Sequence, residues 1–322
     1  MQGKKHIHLI GICGTAMASL AGLLQLKSHR VTGSDQAAYP PMSDLLRGLG
    51  ITVAEPFTEH NLDPRPDLVI IGNAISRGNP EVETVLDQRI PFASLAQVIR
   101  EEFISGRDSL VVAGTHGKTT TTSMLAWIYE VASRTDSALA PSFLIGGVAE
   151  NFGTSFQLRD TAPLILEGDE YDTAFFDKGP KFMHYFPSAL ILTHVEFDHA
   201  DIYRDLDSVK TAFKRLVNLV PRHGRIVAFD GAPNVEECVS RAFCAVERDE
   251  ETSARDEIDE ALERDFDSFE IGVDIGVIEF HVSENERVGE VVQKFRTFVE
   301  EGRVVLVAFN DEGARGSQLK AG

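Results

Sequence analysis

The sequence predicts an α/β protein built from two successive parallel-sheet units. Short apolar segments alternate with amphipathic segments of helical length through residues 6–230. Glycine-containing turns directly follow two of the apolar segments, at residues 11–14 and 114–117. This alternation is typical of parallel strands joined by crossover helices, and a glycine turn between a strand and a helix is typical of a ligand-binding sheet edge.

The first unit is assigned to residues 1–106. It opens with a buried strand at residues 6–11, a glycine turn, and an amphipathic helix from about residue 15 to residue 26. Because the same alternation continues, we expect a Rossmann-like parallel sheet. The further strands are predicted at residues 30–35, 51–54 and 68–72, and the further helices at residues 42–49 and from Pro80 onward.

The second unit is assigned to residues 107–322 and is predicted to be an α/β domain of the P-loop type, because a glycine loop follows its first strand. Strands are predicted at residues 110–113, 143–145, 164–166, 190–192 and 226–229, and helices at 118–131 and 206–219. The pattern diverges after about residue 245. Residues 247–270 carry 12 acidic and 3 basic side chains, which predicts a loop or a solvated helix. Three further strands are predicted at residues 277–282, 295–298 and 304–309.

The composition excludes several classes of protein. The 322 residues include 31 Lys plus Arg and 50 Asp plus Glu, for a net charge of −19. A protein that tracks phosphates needs a basic face, so we expect no general binding to nucleic acid or to an anionic membrane. Three cysteines are too few for a disulfide framework, and His6, His8 and Gly11 interrupt an N-terminal run that imitates a signal peptide. We therefore expect a cytoplasmic protein.

The sharpest motif is the loop that follows the strand at residues 110–113. Glycine backbone N–H groups and the next helix N-terminus suit phosphate oxygens, Lys118 suits their charge, and Thr119 suits magnesium. Val112 stands where the usual motif has its first glycine, and a plain turn is the alternative. The predicted phosphate-binding residues are Gly114, Thr115, His116, Gly117, Lys118, Thr119 and Thr120.

Acidic and histidine residues follow two further apolar strands. Glu167 opens an acidic segment, and His199 lies between Asp198 and Asp201. Carboxylates at a strand end often lie in solvated turns, and a lone histidine is more often structural. However, parallel strands end at one edge of a sheet, so Lys118, Glu167 and His199 together predict a magnesium and phosphate site.

The N-terminal turn indicates a second ligand site. Residues 11–14 resemble a dinucleotide-binding fingerprint with Cys13 at the second glycine position, and Asp35 follows Gly14 by 21 residues. This pattern is weak for a dehydrogenase and better suited to a diphosphate ligand whose sugar or base meets Asp35. The polar loop at residues 73–81 is placed to line the same crevice, although a helix start before Pro80 explains it equally well.

Taken together, these motifs resemble the ATP-dependent Mur ligases of bacterial cell-wall synthesis. The likeness rests on residues 11–14, residues 114–121, the acidic strand end and Asp-His-Ala-Asp at residues 198–201. Within the family, residues 141–153 and 167–185 are similar to the members that join UDP-N-acetylmuramate to the tripeptide L-alanyl-γ-D-glutamyl-meso-diaminopimelate. Related members add L-alanine to the same nucleotide, which is an alternative for this chain.

The resemblance implies a reaction and a set of roles. ATP would phosphorylate the muramyl carboxylate, and the peptide amine would attack the acyl phosphate to form an amide. Residues 114–120 would cradle the ATP phosphates. Lys118, Glu167 and His199 would be catalytic, with Thr119 and Glu167 on one Mg²⁺ ion and His199 on a second. The residues that would bind the UDP part are Gly11, Ile12, Cys13, Gly14, Thr15, Ser34 and Asp35.

The last part of the sequence departs from the family pattern. The likeness is strong over residues 6–230 and returns faintly over residues 277–302. The family's adenine-binding motif and its C-terminal domain, which binds the incoming amino compound, are not found in the sequence. We therefore expect a chain that lacks this domain or receives it from a second chain, and the sequence leaves open whether the chain is active alone. Phe213 stands where some relatives carry a carbamylated lysine, so that role is not assigned.

Other classes of function remain open from the sequence. A non-catalytic module that holds UDP-muramate or ATP requires the same motifs without turnover. An NAD-dependent oxidoreductase built on the N-terminal turn leaves the loop at residues 114–122 unexplained. A P-loop kinase or GTPase is disfavoured by Val112.

Overall fold

The computed structural model describes residues 3–160, 163–197, 202–228 and 232–248, and the backbone of three strands further along the chain. The first sheet has the strand order β3-β2-β1-β4-β5, and all of its neighbouring pairs are parallel. The strands are β1 (His6–Ile10), β2 (Arg30–Ser34), β3 (Val53–Ala54), β4 (Leu68–Ile71) and β5 (Phe92–Ser94). The helices are α1 (Thr15–Leu26), α2 (Met42–Gly48), α3 (Pro80–Asp87) and α4 (Leu95–Ile99), with a 3-10 turn at Glu59–Leu62 and a π-helical turn at Arg100–Ile104.

The second sheet has the strand order β14-β13-β12-β6-β9-β7-β8 and is parallel except for the β7–β8 pair. The strands are β6 (Ser109–Ala113), β7 (Ser142–Ala149), β8 (Thr154–Gln157), β9 (Leu164–Gly168), β12 (Ala189–Leu192), β13 (Arg225–Ala228) and β14 (Ala245–Arg248), and the hairpin beside the sheet is β10 (Asp172–Ala174) and β11 (Asp177–Pro180). The helices are α5 (Lys118–Ala132), α6 (Leu206–Val217) and α7 (Pro233–Val239), with 3-10 turns at Ser137–Leu139 and Lys181–His184.

A third, antiparallel sheet contains the last strands that the structure describes. These are β15 (Val277–Ile278), β16 (Gln293–Glu300) and β17 (Arg303–Asn310), in that order. Each overlaps one of the strands predicted for this region. The acidic segment at residues 247–270 lies outside the described residues except for its first two positions, which end β14.

The strands of the first sheet are apolar because both faces of the sheet are covered. Along β4, Ile70 packs in the apolar cluster that includes α1, whereas Val69 and Ile71 pack in a second cluster with Val82 and Val85 of α3. Successive side chains of a strand point to opposite faces, so a strand covered on both sides has a continuous apolar run. Such a run is the signal by which the sequence predicts this strand.

Helix α1 connects the two units by packing against β7 and β8 of the second sheet. The hydroxyl oxygens of Ser19 and Ser155 lie 2.6 Å apart in the buried interface. A Cβ atom added to Gly22 would lie 2.0 Å from the ring of Phe156, so this contact requires glycine. Because α1 starts directly after the N-terminal turn, the interface fixes that turn relative to the second sheet.

The predicted fold class is confirmed, with parallel pairing throughout the first sheet and in most of the second. Several short elements were not predicted. These are β5, α4, the β10–β11 hairpin, β8, α7 and β14. Among the residues that the structure describes, no helix combines the length and apolarity needed to span a bilayer.

Candidate active site

The predicted phosphate loop joins the end of β6 to the start of α5. Gly114 has a φ of +146° and Gly117 a φ of +78°, which are conformations that other residues rarely adopt. A Cβ atom at Gly114 would also lie 2.1 Å from Thr193 Oγ1. Among the described residues, no side chain caps the N-terminus of α5. The first-turn N–H groups of this helix therefore suit an anion.

Lys118 begins α5 and is hydrogen-bonded to its own loop. Its ammonium donates to the carbonyl oxygens of Gly114 at 2.8 Å and Thr115 at 3.3 Å, and to Glu170 Oε1 at 2.9 Å. Burial raises the pKa of Glu170, and the positive charge of Lys118 opposes that shift. Glu170 therefore anchors the lysine ammonium beside the loop.

Glu167 lies in β9, the strand next to β6. Its Oε1 accepts a hydrogen bond from the Thr119 hydroxyl at 2.8 Å, and its Oε2 accepts one from the Gly146 N–H at 2.7 Å. A carboxylate and a hydroxyl oxygen thus lie side by side, which suits Mg²⁺ held together with phosphate oxygens and water. Among the described residues, no group of three or more His, Cys, Asp and Glu side chains is arranged so that it could hold a metal ion. A magnesium ion at this place would therefore depend on phosphate and water for its other ligands.

The segment after β12 packs against the same loop. The Thr115 N–H donates to the His194 carbonyl at 2.8 Å, and the Thr193 hydroxyl donates to the His116 carbonyl at 2.6 Å. The Glu196 N–H donates to the Thr115 hydroxyl at 3.2 Å. Burial lowers the pKa of His194, which favours its neutral form. The ends of β6, β9 and β12 therefore meet at one edge, as the sequence predicts.

Hydrogen bonds to the end of β2 hold the N-terminal turn in place. The N–H groups of Gly11 and Ile12 donate to the Ser34 carbonyl at 2.9 and 3.0 Å, and the Cys13 N–H donates to Asp35 Oδ2 at 2.8 Å. Ile12, Cys13 and Ser34 are buried, and burial raises the pKa of the Cys13 thiol to about 11. In this structure these residues build and support the turn.

A cleft of about 460 Å³ separates the N-terminal turn from the phosphate loop. Both units contribute to its walls. The lining residues are Gly14, Thr15, Ala16, Met17, Asn73 and Leu95 from the first, and Thr115, Lys118, Thr119, Gly146, Glu167, Asp169, Tyr171, Thr173 and Lys181 from the second. The turn after β1 and the loop between β6 and α5 therefore line the same cleft.

The structure brings together part of the predicted site. The predicted residues in the cleft are Gly14, Thr15, Thr115, Lys118, Thr119 and Glu167. The other predicted UDP-binding residues lie in the N-terminal turn (Gly11, Ile12 and Cys13) or at the end of β2 (Ser34 and Asp35). His199, like Asp198 and Asp201, lies outside the described residues.

Three charged residues of the site were not singled out from the sequence. Asp169 and Glu170 belong to the acidic segment that Glu167 opens, so a signal was present, but the pattern favoured its first carboxylate. Lys181 belongs to the segment 167–185 that carries the family resemblance, but no role was assigned to it. It lines the cleft, and its ammonium pairs with Asp169 at 2.5 Å.

The fold and this cleft define an α/β protein in which a glycine-containing turn of each sheet lines one cleft. Residues 6–104 match the model described as Mur ligase family, catalytic domain, and residues 112–286 match the Mur ligase middle domain. The chain belongs to the Mur ligase family, and the resemblance stated from its motifs is confirmed.

Individual relatives agree with this assignment. A UDP-N-acetylmuramate--L-alanyl-gamma-D-glutamyl-meso-2,6-diaminoheptandioate ligase from Escherichia coli is 50% identical over 221 residues, covering 69% of this chain and 47% of the relative. The ligase of the same name from Haemophilus influenzae is 44% identical over 236 residues, covering 73% of this chain and 51% of the relative. The chain thus spans about half the length of the curated relatives it matches.

Solved structures show the same similarity. The murein peptide ligase from Neisseria meningitides has a TM-score of 0.72 at 37% identity, covering 94% of this chain and 86% of that chain. The murein peptide ligase from Psychrobacter arcticus has a TM-score of 0.70 at 33% identity, and the match covers 94% of this chain and 60% of that chain. A UDP-N-acetylmuramate-alanine ligase from Thermotoga maritima has a lower TM-score of 0.61 at 25% identity, and the match covers 73% of this chain and 51% of that chain.

Proposed function

We propose that this chain is an ATP-dependent amide ligase of peptidoglycan recycling that joins UDP-N-acetylmuramate to L-alanyl-γ-D-glutamyl-meso-diaminopimelate through an acyl phosphate. The observation that carries the proposal is the cleft, in which Gly14 and Thr15 lie opposite Lys118, Thr119 and Glu167. The names of the relatives at 44–50% identity support the choice of substrates.

The proposal divides the two nucleotides between the two units. Residues 1–106 bind UDP-N-acetylmuramate, with the turn after β1 at its diphosphate and the muramyl group in the cleft. Residues 107–322 bind ATP, with its phosphates on residues 114–120. The glycine conformations and the uncapped start of α5 among the described residues support this loop as the triphosphate site.

The charges of the cleft suit the transfer of a phosphoryl group to a carboxylate. Thr119 and Glu167 would hold Mg²⁺ together with ATP, and His199 is the residue proposed from the sequence to assist a second ion. When bound, magnesium neutralises charge on the phosphates. Lys118 adds a fixed positive charge, and Glu170 keeps its ammonium in place before ATP arrives.

The remaining step forms the amide bond. The muramyl carboxylate oxygen attacks the γ-phosphorus and ADP leaves. The amine of the tripeptide then attacks the acyl carbon, loses a proton, and displaces inorganic phosphate.

ADP release in a coupled assay tests this function. We expect release from ATP and Mg²⁺ to require both UDP-N-acetylmuramate and the tripeptide. Lys118→Met should lower the rate by about a hundredfold or more, because the variant loses a charge aimed at the transferred phosphoryl group. Lys178→Met is the matched control, since Lys178 is exposed and pairs with Asp172 outside this cleft.

The alternatives give different results in the same assay. Release with L-alanine in place of the tripeptide would assign the reaction of the alanine-adding relatives instead. Binding of UDP-N-acetylmuramate without any release from folded protein would reduce the chain to a binding module and contradict the proposed reaction.

A further inference from the structure

Two lysines of the cleft are held by adjacent carboxylates of one segment. Glu170 pairs with Lys118 at 2.9 Å, and Asp169 pairs with Lys181 at 2.5 Å. Both ammonium groups line the cleft. The role proposed above for the phosphate loop accounts for Lys118 and leaves Lys181 without one.

The side chain of Lys181 is largely buried rather than exposed on the surface. Its side chain is 9% exposed, which is unusual for lysine, and Asp169 supplies the opposite charge that burial requires. Asp169 is itself fixed, because its Oδ1 accepts the Tyr171 N–H at 3.0 Å. A lysine held in this way has lost its rotamer freedom before any ligand binds, so little further ordering is needed on binding.

The two lysines differ in how many donors remain. Lys118 donates to three acceptors of the protein. Among the described residues, Asp169 is the single acceptor found for the Lys181 ammonium. An ammonium has three N–H donors, so Lys181 keeps two for a ligand without giving up its ion pair.

The position of Lys181 indicates which part of the ligand its ammonium would contact. It begins the 3-10 turn at Lys181–His184, which packs against α4 of the first unit and β9 of the second. The junction between the units is where a group tethered to the UDP-sugar must approach the terminal phosphate of ATP. In the proposed reaction that group is a carboxylate.

We propose that Lys181 binds the reacting carboxylate of the nucleotide-sugar substrate and thereby selects an acidic sugar over a neutral one. This inference rests on the proposed function. The ammonium donates to the carboxylate oxygens and orients them for attack on phosphorus, while Asp169 keeps the lysine in place. Lys181 is therefore a specificity residue of the same cleft.

The test compares the affinity of the full chain for UDP-N-acetylmuramate and for UDP-N-acetylglucosamine, which lacks the carboxylate, by calorimetric titration. We expect the wild type to bind the acidic nucleotide about tenfold tighter or more, as a hydrogen bond to a charged group predicts. Lys181→Met should remove this preference and leave the affinity for UDP-N-acetylglucosamine unchanged. Lys181→Arg should retain most of the preference, and Lys178→Met all of it.

Each other outcome overturns a different statement. A preference that survives in Lys181→Met overturns the assignment of the carboxylate to Lys181. Equal weakening of both nucleotides by that variant also overturns it, because it indicates a diphosphate or structural role. Equal affinity of the wild type for both nucleotides shows that no carboxylate site exists. Binding of neither nucleotide by the wild type contradicts the proposed function itself, and the inference falls with it.

Discussion

Lys118 and Glu170 form an ion pair in the candidate site in which the carboxylate is fully buried. Taking a carboxylate out of water disfavours its ionised form, whereas a lysine ammonium at 2.9 Å favours it. Desolvation is the larger effect here and raises the pKa of Glu170 above its ordinary value of 4.5. The protein therefore keeps a costly buried carboxylate at the point where the lysine of the phosphate loop must be held.

This pair gives a pH dependence of stability with a defined sign. A carboxyl with a raised pKa in the folded state contributes stability that is complete below pH 4.5 and is lost as the pH rises through the folded pKa. Glu170→Gln cannot ionise, so its free energy of unfolding relative to wild type should increase as the pH is raised from 4.5. Urea unfolding at a series of pH values measures this difference.

Glu83 provides the control of opposite sign. The hydrogen bond from Arg77 is the main cause that lowers the pKa of Glu83 to about 2, so its contribution is complete above pH 4.5 and is lost as the pH falls toward 2. The stability of Glu83→Gln relative to wild type should therefore stay constant above pH 4.5. A relative stability of Glu170→Gln that is equally constant there would contradict the raised pKa.

Residues with distinctive motif chemistry were predictable, and residues defined by tertiary contact were not. Lys118 and Glu167 follow strands in a recognisable pattern, and the structure places both in the cleft. The role of Asp35 at a ligand stays a prediction; in the structure its two carboxylate oxygens accept the backbone N–H groups of Cys13 and Gln36, each at 2.8 Å. Lys181 lies in a segment that resembles the family but received no role from the sequence, because its partner lies 12 residues earlier in the chain.

At the scale of secondary structure, α1 is the element on which the cleft depends. It begins at Thr15, which lines the cleft, and the helix packs against β7 and β8 of the second sheet. The hydrogen bond between Ser19 and Ser155 and the contact between Gly22 and Phe156 fix this packing. A disturbance at this interface should therefore reach the site through the start of the helix.

Gly22→Ala tests the interface. The added methyl group would meet the Phe156 ring at 2.0 Å, so we expect a loss of about 1–3 kcal/mol in the free energy of unfolding from overpacking. Phe156→Leu should relieve part of this loss when the two changes are combined, giving a non-additive double-mutant cycle. Urea unfolding of the four proteins measures the coupling.

Gly48→Ala is the matched control, since Gly48 ends α2 with nothing within 4 Å of an added Cβ atom. It should be neutral or stabilising by about 0.5–1 kcal/mol, because alanine is the better helix former. Equal effects of Gly22→Ala and Gly48→Ala would show that the contact with Phe156 does not constrain the interface.

Long periodic elements were predicted more reliably than short ones. The helix predicted at residues 118–131 is α5, Lys118–Ala132, because its apolar periodicity follows a clear glycine loop. The strand β8 and the hairpin β10–β11 were missed, since short strands carry little periodicity and depend on pairing with neighbours. Such pairing is decided by the fold rather than by local sequence.

At the scale of the whole molecule, a strongly acidic chain has two lysines in its cleft. Residues 247–270, which carry 12 acidic and 3 basic side chains, account for a net −9 of the total −19. The cleft contains Lys118 and Lys181 beside their carboxylates. The two sheets, joined through α1, therefore end at one cleft, which we propose holds both nucleotides.

The most direct test of this account measures whether both nucleotides occupy the chain at once. UDP-N-acetylmuramate is titrated into the protein with and without a saturating β,γ-methylene analogue of ATP and Mg²⁺. We predict one site for each ligand and simultaneous binding, with Lys118→Met losing the analogue while keeping the nucleotide sugar. Mutually exclusive binding, or failure of the folded wild-type chain to bind either nucleotide, would contradict the account.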